Sequence, residues 1–333
     1  MPQLPLRPSV TRLLRAGALL LGGVLLAAAA RADYPERPVR LVIGLQPGAS
    51  TDTLARQLAK RLSDQLGRQF VVENKPGAAT RIAMENVVRA APDGYTLGVA
   101  NAVSANFPMM FDDLPFVPGK DFTPVSLLGR APSYLAVRAS LPVRNVNEFI
   151  AYAKANDGKL NYGQGSNGSN PHLAVRLLVQ SLGIRATEVA YKGNAPTGVA
   201  LAAGEIDFAI LDYPAVRPLV ERGNVRLLAV TEPRRAALTP DVPTSTEQGL
   251  TPRLEGVTPW FMLVAPAGTP ADIVELLNRQ VNQALRSPEV QQAALAGGIE
   301  PEGLGVEQTR AYFLQQRDGA AKLSRELNVS LKN

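Results

Sequence analysis

Two segments of the sequence combine glycine with small polar residues at points where a predicted strand is followed by a predicted helix. The first is the run QPGASTD over 46–52, and the second is the run GQGSNGSNPH over 163–172. A helix that begins after such a turn presents unpaired backbone N–H groups and the positive end of its dipole, which together bind anions. In α/β proteins, ligands bind at the carboxyl ends of the strands. The two segments therefore predict an anion site.

In the first segment, Gly48 allows the backbone to approach a ligand closely. Any of Ser50, Thr51 and Asp52 can cap the helix that begins near Thr51. A plain cap and turn without a ligand is the alternative interpretation of the same residues.

The second segment also matches a dinucleotide-binding pattern. Residues 163–168 read G-x-G-x-x-G, and Glu188 lies 20 residues beyond Gly168, where a ribose-binding carboxylate would stand. However, Glu188 falls inside a predicted strand, Pro171 places the helix start after the glycines, and an exported protein meets little NAD. We therefore interpret this segment as a second helix N-terminus suited to an anion.

An exported serine hydrolase is the main alternative function. Its nucleophile would be Ser166 or Ser169, and its base would be His172. The nucleophile turn G-x-S-x-G requires glycine where this chain has Gln164. We favour the interpretation that His172 is a satisfied histidine at a helix start.

Three further residues are candidates for the site. Asn106, after the third predicted strand, could contribute an amide, and Lys192 in the run YKGNAP could place a cation nearby, although a solvated lysine is the commoner outcome. Asp212 ends a predicted strand, where its carboxylate could bind a ligand ammonium or hydroxyl. An aspartate that merely starts a turn fits the pattern equally well. If Asp212 faces the cleft, it favours a ligand that also carries an amine.

The composition excludes several kinds of chemistry. The 333 residues include no cysteine and a single histidine. Disulfides and thiolate chemistry are therefore excluded, and transition-metal sites lack their usual ligands. We expect neither a cofactor nor a metal. Hydrophobic residues make up 46% of the chain and charged residues 19%, a balance that is sufficient for a globular core.

The N-terminal segment is typical of a cleavable secretory signal peptide. Residues 1–32 combine a basic start, an uncharged run over 16–30 and small residues before the predicted cleavage site. The run is shorter than the roughly 20 residues of a membrane-spanning helix, and an uncleaved anchor is the alternative. Loss of the four arginines in this segment lowers the formal net charge from +6 to +2, which does not favour nucleic acid as a partner. We expect a periplasmic protein.

The remaining sequence alternates short apolar runs with amphipathic runs, which predicts an α/β fold. The predicted elements are strands at 39–45, 69–74, 95–101, 134–138, 160–164, 187–191, 207–212, 225–231 and 261–266, and helices at 51–66, 82–90, 146–156, 171–182, 198–203, 215–222, 270–286, 288–296 and 306–325.

The order of these elements predicts two domains. Domain 1 is expected to comprise residues 33–131 plus 253–333, and domain 2 the inserted residues 132–252. Each domain is expected to contain a mostly parallel sheet flanked by helices. Two crossings of the chain between the domains would act as a hinge.

Motifs along the chain resemble those of the Bug receptors, the extracytoplasmic solute-binding proteins of tripartite tricarboxylate transporters. The family's PPGG-x-x-D loop corresponds to 46–52, its GS-x-x-HL motif to 168–173, and its YKG-x-x-P motif to 191–196. Further correspondences are VVEN-x-PGA at 71–78, PDGYTL at 92–97, LPFVPGKDFTPV at 114–125, LAVT at 228–231, PDVPT at 240–244 and APAGTP at 265–270. Each match alone is weak, but their order and spacing extend over nearly all of residues 34–327.

The resemblance implies a type II periplasmic-binding-protein clamshell that captures a small carboxylate, either an organic acid or an amino acid. It implies a monomer that presents this ligand to membrane transporter subunits, with a sensor kinase as the alternative partner. The ligand contacts that it implies are Gly48, Ala49, Ser50 and Asp52 in domain 1, and Ser166, Gly168 and Ser169 in domain 2.

The chain departs from the family pattern at several of these positions. Gln46 replaces a proline, Ala49 replaces the second glycine, and Gln164 and Ser166 replace the usual serine and glycine. Since a residue with a Cβ resists a positive φ, the first loop is expected to differ from the family's loop at Ala49.

Overall fold

The computed structural model describes residues 34–329, so the predicted signal peptide lies outside the described residues. The chain divides into two units after residue 36, and every element below lies in the unit that begins at Arg37. Within the described range, no helix has both the length and the apolar character that crossing a membrane requires.

Eleven strands are present among the described residues. They are β1 (Val39–Ile43), β2 (Phe70–Asn74), β3 (Thr96–Asn101), β4 (Phe122–Arg130), β5 (Ser133–Arg138), β6 (Leu160–Gln164), β7 (Ala186–Ala190), β8 (Phe208–Asp212), β9 (Val225–Val230), β10 (Trp260–Pro266) and β11 (Glu300–Pro301). They form a six-stranded sheet in the order β11-β4-β10-β3-β1-β2, which defines lobe 1, and a five-stranded sheet in the order β7-β6-β8-β5-β9, which defines lobe 2.

Ten α-helices of the described range flank these sheets. They are α1 (Ser50–Leu66), α2 (Arg81–Val88), α3 (Ala102–Met110), α4 (Val146–Ala155), α5 (Asn170–Leu182), α6 (Asn194–Ala203), α7 (Tyr213–Glu221), α8 (Ala271–Leu285), α9 (Pro288–Ala296) and α10 (Val306–Glu326). In α1, Leu54, Leu58 and Leu62 are fully buried along one face, and the helix ends at Gly67, whose φ of 68° suits glycine. The predicted α/β class is confirmed.

Both sheets are mixed, but most strands of each sheet run in one direction, so the prediction of mostly parallel sheets is confirmed. β1 is parallel to β2 and β3, whereas β10 is antiparallel to β3 and β4. In lobe 2, β6 is parallel to β7 and β8, whereas β5 is antiparallel to β8 and β9. In lobe 2 the reversed strand is β5, which follows β4 of the other lobe directly, without the crossover helix that a parallel neighbour requires.

Two segments cross between the lobes and are tied together by hydrogen bonds. Ala131 donates its N–H to the carbonyl of Pro259 at 2.8 Å, and Thr231 donates its N–H to the carbonyl of Ser133 at 2.8 Å. The Thr258 hydroxyl donates to the carbonyl of Thr231 at 3.2 Å. The exact domain boundaries near 132 and 252 stay a prediction.

Helix α10 packs against the cores of both lobes. Near its start, Phe313 meets Phe122 of β4 edge to face, with ring centroids 5.1 Å apart. Near its end, Leu323 and Leu327 are buried in the same cluster as Leu173 of α5. One helix therefore contributes to two cores.

Candidate ligand-binding cleft

The loop between β1 and α1 is held from beneath by Asp52, which is 3% exposed. Its Oδ2 accepts the N–H of Gly48 at 2.9 Å and Nε of Arg56 at 3.0 Å, and its Oδ1 accepts Nδ2 of Asn74 at 2.9 Å. Burial would raise the pKa of Asp52, but the hydrogen bonds from Arg56, Gly48 and Asn74 together hold it below its usual range. Asp52 is therefore positioned to fix the loop, with both of its oxygens already bonded.

The first loop does not require a glycine at position 49. Ala49 has φ −64° and ψ 155°, an extended conformation that any residue adopts, and the positive φ of 85° falls on Gly48. Ala49 therefore does not need the positive φ on which the expected difference depends, and a difference from the family's loop stays a prediction. No side chain caps α1 at Ala49, and the N–H groups of Ser50 and Thr51 have no partner within the described residues. These donors remain available to an anion.

The loop between β6 and α5 is held by His172. Gly168 has a φ of 70° and donates its N–H to Nδ1 of His172 at 3.0 Å, while the hydroxyl of Ser169 caps α5 by accepting the backbone N–H of His172 at 3.4 Å. Because Nδ1 accepts this bond, the imidazole carries its proton on Nε2, which lies 3.4 Å from Oε1 of Glu188. Burial lowers the pKa of His172, which favours the neutral form.

These contacts bear on the two alternative interpretations of residues 163–172, a serine hydrolase site and a dinucleotide site. The imidazole is bonded to Gly168 rather than to a serine hydroxyl, and the hydroxyl of Ser166 donates to the carbonyl of Gly165 at 2.7 Å. Glu188 lies inside β7 and accepts a hydrogen bond from the Tyr162 hydroxyl at 2.6 Å. Neither a serine–histidine pair nor a ribose-binding carboxylate is formed by the described residues.

A third and a fourth helix begin beside this loop. Gly193, just before α6, donates its N–H to the carbonyl of Gly165, which joins the two loops. Asp212 caps α7 by accepting the N–H of Ala215 at 3.3 Å, and its Oδ2 accepts Nδ2 of Asn194 at 2.8 Å. Burial raises the pKa of Asp212, and the hydrogen bonds from Asn194 and Ala215 offset this effect only in part.

The starts of α5, α6 and α7 surround one pocket of about 370 Å³, which we call the cleft pocket. It is lined by Ser166, Ser169, Asn194, Ala195, Asp212, Pro214 and Ala215. The structure thus brings together three predicted residues, Ser166, Ser169 and Asp212. Among the described residues that line the pocket, Asp212 is the sole ionisable one, so backbone N–H groups and hydroxyls are the donors that it offers to an anion.

Two glycines place the first loop next to this pocket. A Cβ on Gly297 would lie 2.9 Å from Cβ of Ser50, and a Cβ on Gly298 would lie 2.5 Å from Cδ of Pro214. Real Cβ atoms do not approach other atoms so closely, so both contacts depend on glycine. The loop that follows α9 therefore lies against the start of α1 in lobe 1 and the start of α7 in lobe 2.

Asn106 joins the two lobes but lies outside the cleft pocket. It is fully buried in α3, and its Nδ2 donates to the carbonyl of Gly168 at 3.2 Å. Asn106 therefore contacts the backbone of the second loop from the opposite lobe. Lys192 is exposed and does not line the pocket.

The sequence patterns do not identify Asn194, Ala195, Pro214 and Ala215 as lining residues. Asn194 and Ala195 stand in the run YKGNAP, in which Lys192 is the only charged residue. The residue in this run that indicates a binding site is Gly193, which stands just before the third helix start and has a φ of 115°. A glycine before a helix marks a possible donor site as clearly as a charged residue does.

Known proteins are similar to this chain in sequence and in architecture. The sequence model of one protein family, the tripartite tricarboxylate transporter family receptor, matches residues 54–328 of this chain. BugT of Bordetella pertussis is 34% identical over 97% of this chain and 100% of its own length. Two similar solved structures come from Rhodopseudomonas palustris. Rpa4515 with adipate is 33% identical, with a TM-score of 0.73 over 90% of this chain and 100% of that one. MatC with bound malate is 30% identical, with a TM-score of 0.66 over 86% and 100%.

Proposed function

The chain belongs to the family of tripartite tricarboxylate transporter receptors, and from this premise we propose that its cleft pocket binds a small carboxylate. The two-lobed α/β architecture is that of a periplasmic-binding clamshell. The relatives whose structures contain adipate and malate are both dicarboxylate complexes, which supports the same ligand class here.

The observation that carries the proposal is the meeting of three helix N-termini in one pocket. The N–H groups of Asn194 and Ala195 at the start of α6 have no partner within the described residues, and both residues line the pocket. Each helix start has the positive end of a dipole. A carboxylate placed here would be stabilised without any lysine or arginine in the lining.

The first loop supplies the opposing donors in this proposal. Ser50 and Thr51 offer free N–H groups in lobe 1, and Ser169 and Asn194 lie on the lobe 2 side. The two crossing segments near Ala131 and Thr231 would act as the hinge. Closure would bury the carboxylate between the lobes and create the surface that a membrane partner recognises.

Family membership supports a periplasmic location and transporter subunits as the partner. A receptor is favoured over the hydrolase because the imidazole of His172 is already bonded to the N–H of Gly168. A role with a sensor kinase would use the same pocket and would differ only in the partner that binds the closed form.

The test is a matched pair of substitutions on α6. Ala195→Asp adds a carboxylate inside the cleft pocket, whereas Val199→Asp adds the same charge one turn later at a side chain that is 62% exposed. A thermal-shift screen of small carboxylates would first identify a ligand, because a ligand that binds the folded state raises the melting temperature. Calorimetric titration would then measure its affinity for both variants.

We expect Ala195→Asp to weaken binding at least about 100-fold, since two like charges would share a pocket that closure of the lobes desolvates. Val199→Asp should bind as the parent protein does. Equal affinity of the two variants would contradict the proposed pocket. The absence of any stabilising carboxylate would contradict the proposed ligand class.

A further inference from the structure

A second cavity of about 230 Å³ lies where α3, α5, α10 and the segment before β10 meet, and we call it the hinge cavity. It is lined by Ala102, Ala105, Asn106, Asn170, Leu173, Leu177, Arg253, Val257, Trp260, Gln315, Gln316, Gly319, Ala320, Lys322 and Leu323. It shares no lining residue with the cleft pocket. Its walls come from both lobes and from the middle of α10.

Much of the lining of the hinge cavity is apolar. Leu173, Val257 and Leu323 are buried, and Trp260 is fully buried. Apolar cavities of about 150 Å³ bind guests the size of benzene, so a cavity of this size can hold a short hydrocarbon body. Drug-sized ligands, which occupy roughly 300–1,000 Å³, would be too large.

The rim of the cavity is positively charged. Arg253 and Lys322 are the ionisable residues among the described lining residues, and both are cations. Each pairs with the same carboxylate, because Arg253 is bonded to Glu326 and Nζ of Lys322 lies 3.9 Å from Oε1 of Glu326. Two exposed cations thus share one anion, so these three side chains carry a net charge of +1.

Two buried polar atoms in the walls lack a partner within residues 34–329. They are Oδ1 of Asn106 and Nε1 of Trp260. A buried polar atom without a partner is unusual and is normally explained by a water or a bound molecule. Both residues line the hinge cavity, so an occupant that reached these atoms would supply the partners that they lack.

We propose that the hinge cavity is a second binding site, for a small amphiphilic monoanion. Its apolar body would lie against Trp260, Leu173 and Val257, and its negative head would lie at the rim beside Arg253 and Lys322. Such a molecule carries the single charge that the rim can neutralise and the hydrocarbon that the interior can shelter.

Trp260 provides a direct readout, because it is the only tryptophan in the chain and it lines the cavity. Octanoate is the probe, and octan-1-ol is its uncharged counterpart with the same chain length. Titration of octanoate should change the Trp260 emission in a saturable way. Octanol should bind about tenfold more weakly, because it lacks the charge that Arg253 and Lys322 would bind.

Substitutions at the rim distinguish the contribution of the rim charge to octanoate affinity from the contribution of the apolar cavity. The double variant Arg253→Gln, Lys322→Gln should bring octanoate to the affinity of octanol. Arg325→Gln, which removes an exposed cation from the same helix but not from the cavity lining, is the matched control and should keep the preference. Ala320→Leu, which fills the cavity from α10, should weaken both probes.

The experiment must also distinguish octanoate bound in the hinge cavity from octanoate bound in the cleft pocket. The Ala195→Asp variant should bind octanoate at Trp260 as the parent protein does, even when it has lost its cleft ligand. No saturable emission change, equal affinities for octanoate and octanol, or loss of octanoate binding in Ala195→Asp would each overturn the proposal. None of these results would affect the proposed cleft function, which is measured with the small carboxylates.

Discussion

Each lobe places an aspartate at a helix start beside the cleft, and the two carboxylates have opposite surroundings. Asp52 accepts bonds from Arg56, Asn74 and the N–H of Gly48, and its pKa is held low. Asp212 has no cation beside it among the described residues, and burial raises its pKa. One carboxylate is paired with a cation beneath its loop, whereas the other lines the cleft pocket without a cation beside it among the described residues. The residue type and its local position are therefore not enough to assign a role.

The largest effect that this comparison predicts is for Asp52→Ala. It leaves Gly48 without its acceptor and removes a carboxylate bond of Asn74, so the first loop should lose its fixed position. We expect unfolding stability to fall by about 2 kcal/mol and affinity for the cleft ligand to fall at least about tenfold. Urea unfolding and calorimetric titration would measure both quantities.

Asp64→Ala is the control for this change, because Asp64 is an exposed carboxylate on the same helix. Its effect should stay within about 0.5 kcal/mol. Similar losses in both variants would show that the charge of α1, rather than the bonds of Asp52, sets the stability.

A smaller and more selective effect is predicted for Asp212→Ala. If its carboxylate binds a ligand ammonium, the variant should lose affinity for an amino acid about tenfold more than for the dicarboxylate of the same carbon skeleton. Loss of the cap on α7 would affect both ligands equally, so the ratio of the two affinities is the quantity to measure. An unchanged ratio would mean that Asp212 serves only as a cap.

The smallest predicted effect is a difference in pH dependence. The low pKa of Asp52 means that its stabilisation is complete above its usual pKa of about 3.8 and is lost as the pH falls below it. The raised pKa of Asp212 has the opposite sign, since its contribution is complete below about 3.8 and is lost as the pH rises through the raised value.

Asp212→Asn keeps a capping side chain and removes the buried charge. We therefore expect it to stabilise the unliganded protein by about 1 kcal/mol at pH 7, with a smaller gain at pH 4. Urea unfolding at the two pH values would measure this. Destabilisation of equal size at both values would be inconsistent with a charged, partly desolvated Asp212.

The sequence predicted most elements but missed α3, β4 and the two-residue β11. β4 contains Pro124 and Gly129, which weaken a strand signal, and it is stabilised by pairing with β10, more than 130 residues later in the chain. α3 contains Pro108 and is started by a capping box of Asn101 with Ser104. Long-range pairing and a cap outweigh local propensity in both elements.

The cleft pocket could be predicted only in part, because long-range contacts also form much of it. Ser166 and Ser169 could be found because they stand in a glycine-rich turn before a helix. The bond between Asn194 and Asp212, and the approach of Gly298 to Pro214, join segments that are distant along the chain. Such contacts depend on how the sheets pack, which no local pattern encodes.

The two-core packing of α10 also has a consequence for the order of folding. Lobe 2 is built mainly from residues 133–230, yet its core is completed by Leu323, Leu327 and Val329 at the end of the described chain. Domains often fold as soon as their own segment has emerged. Here lobe 2 buries side chains of residues 323–329 in its own core, so we expect a chain that stops before residue 323 to leave that core incomplete.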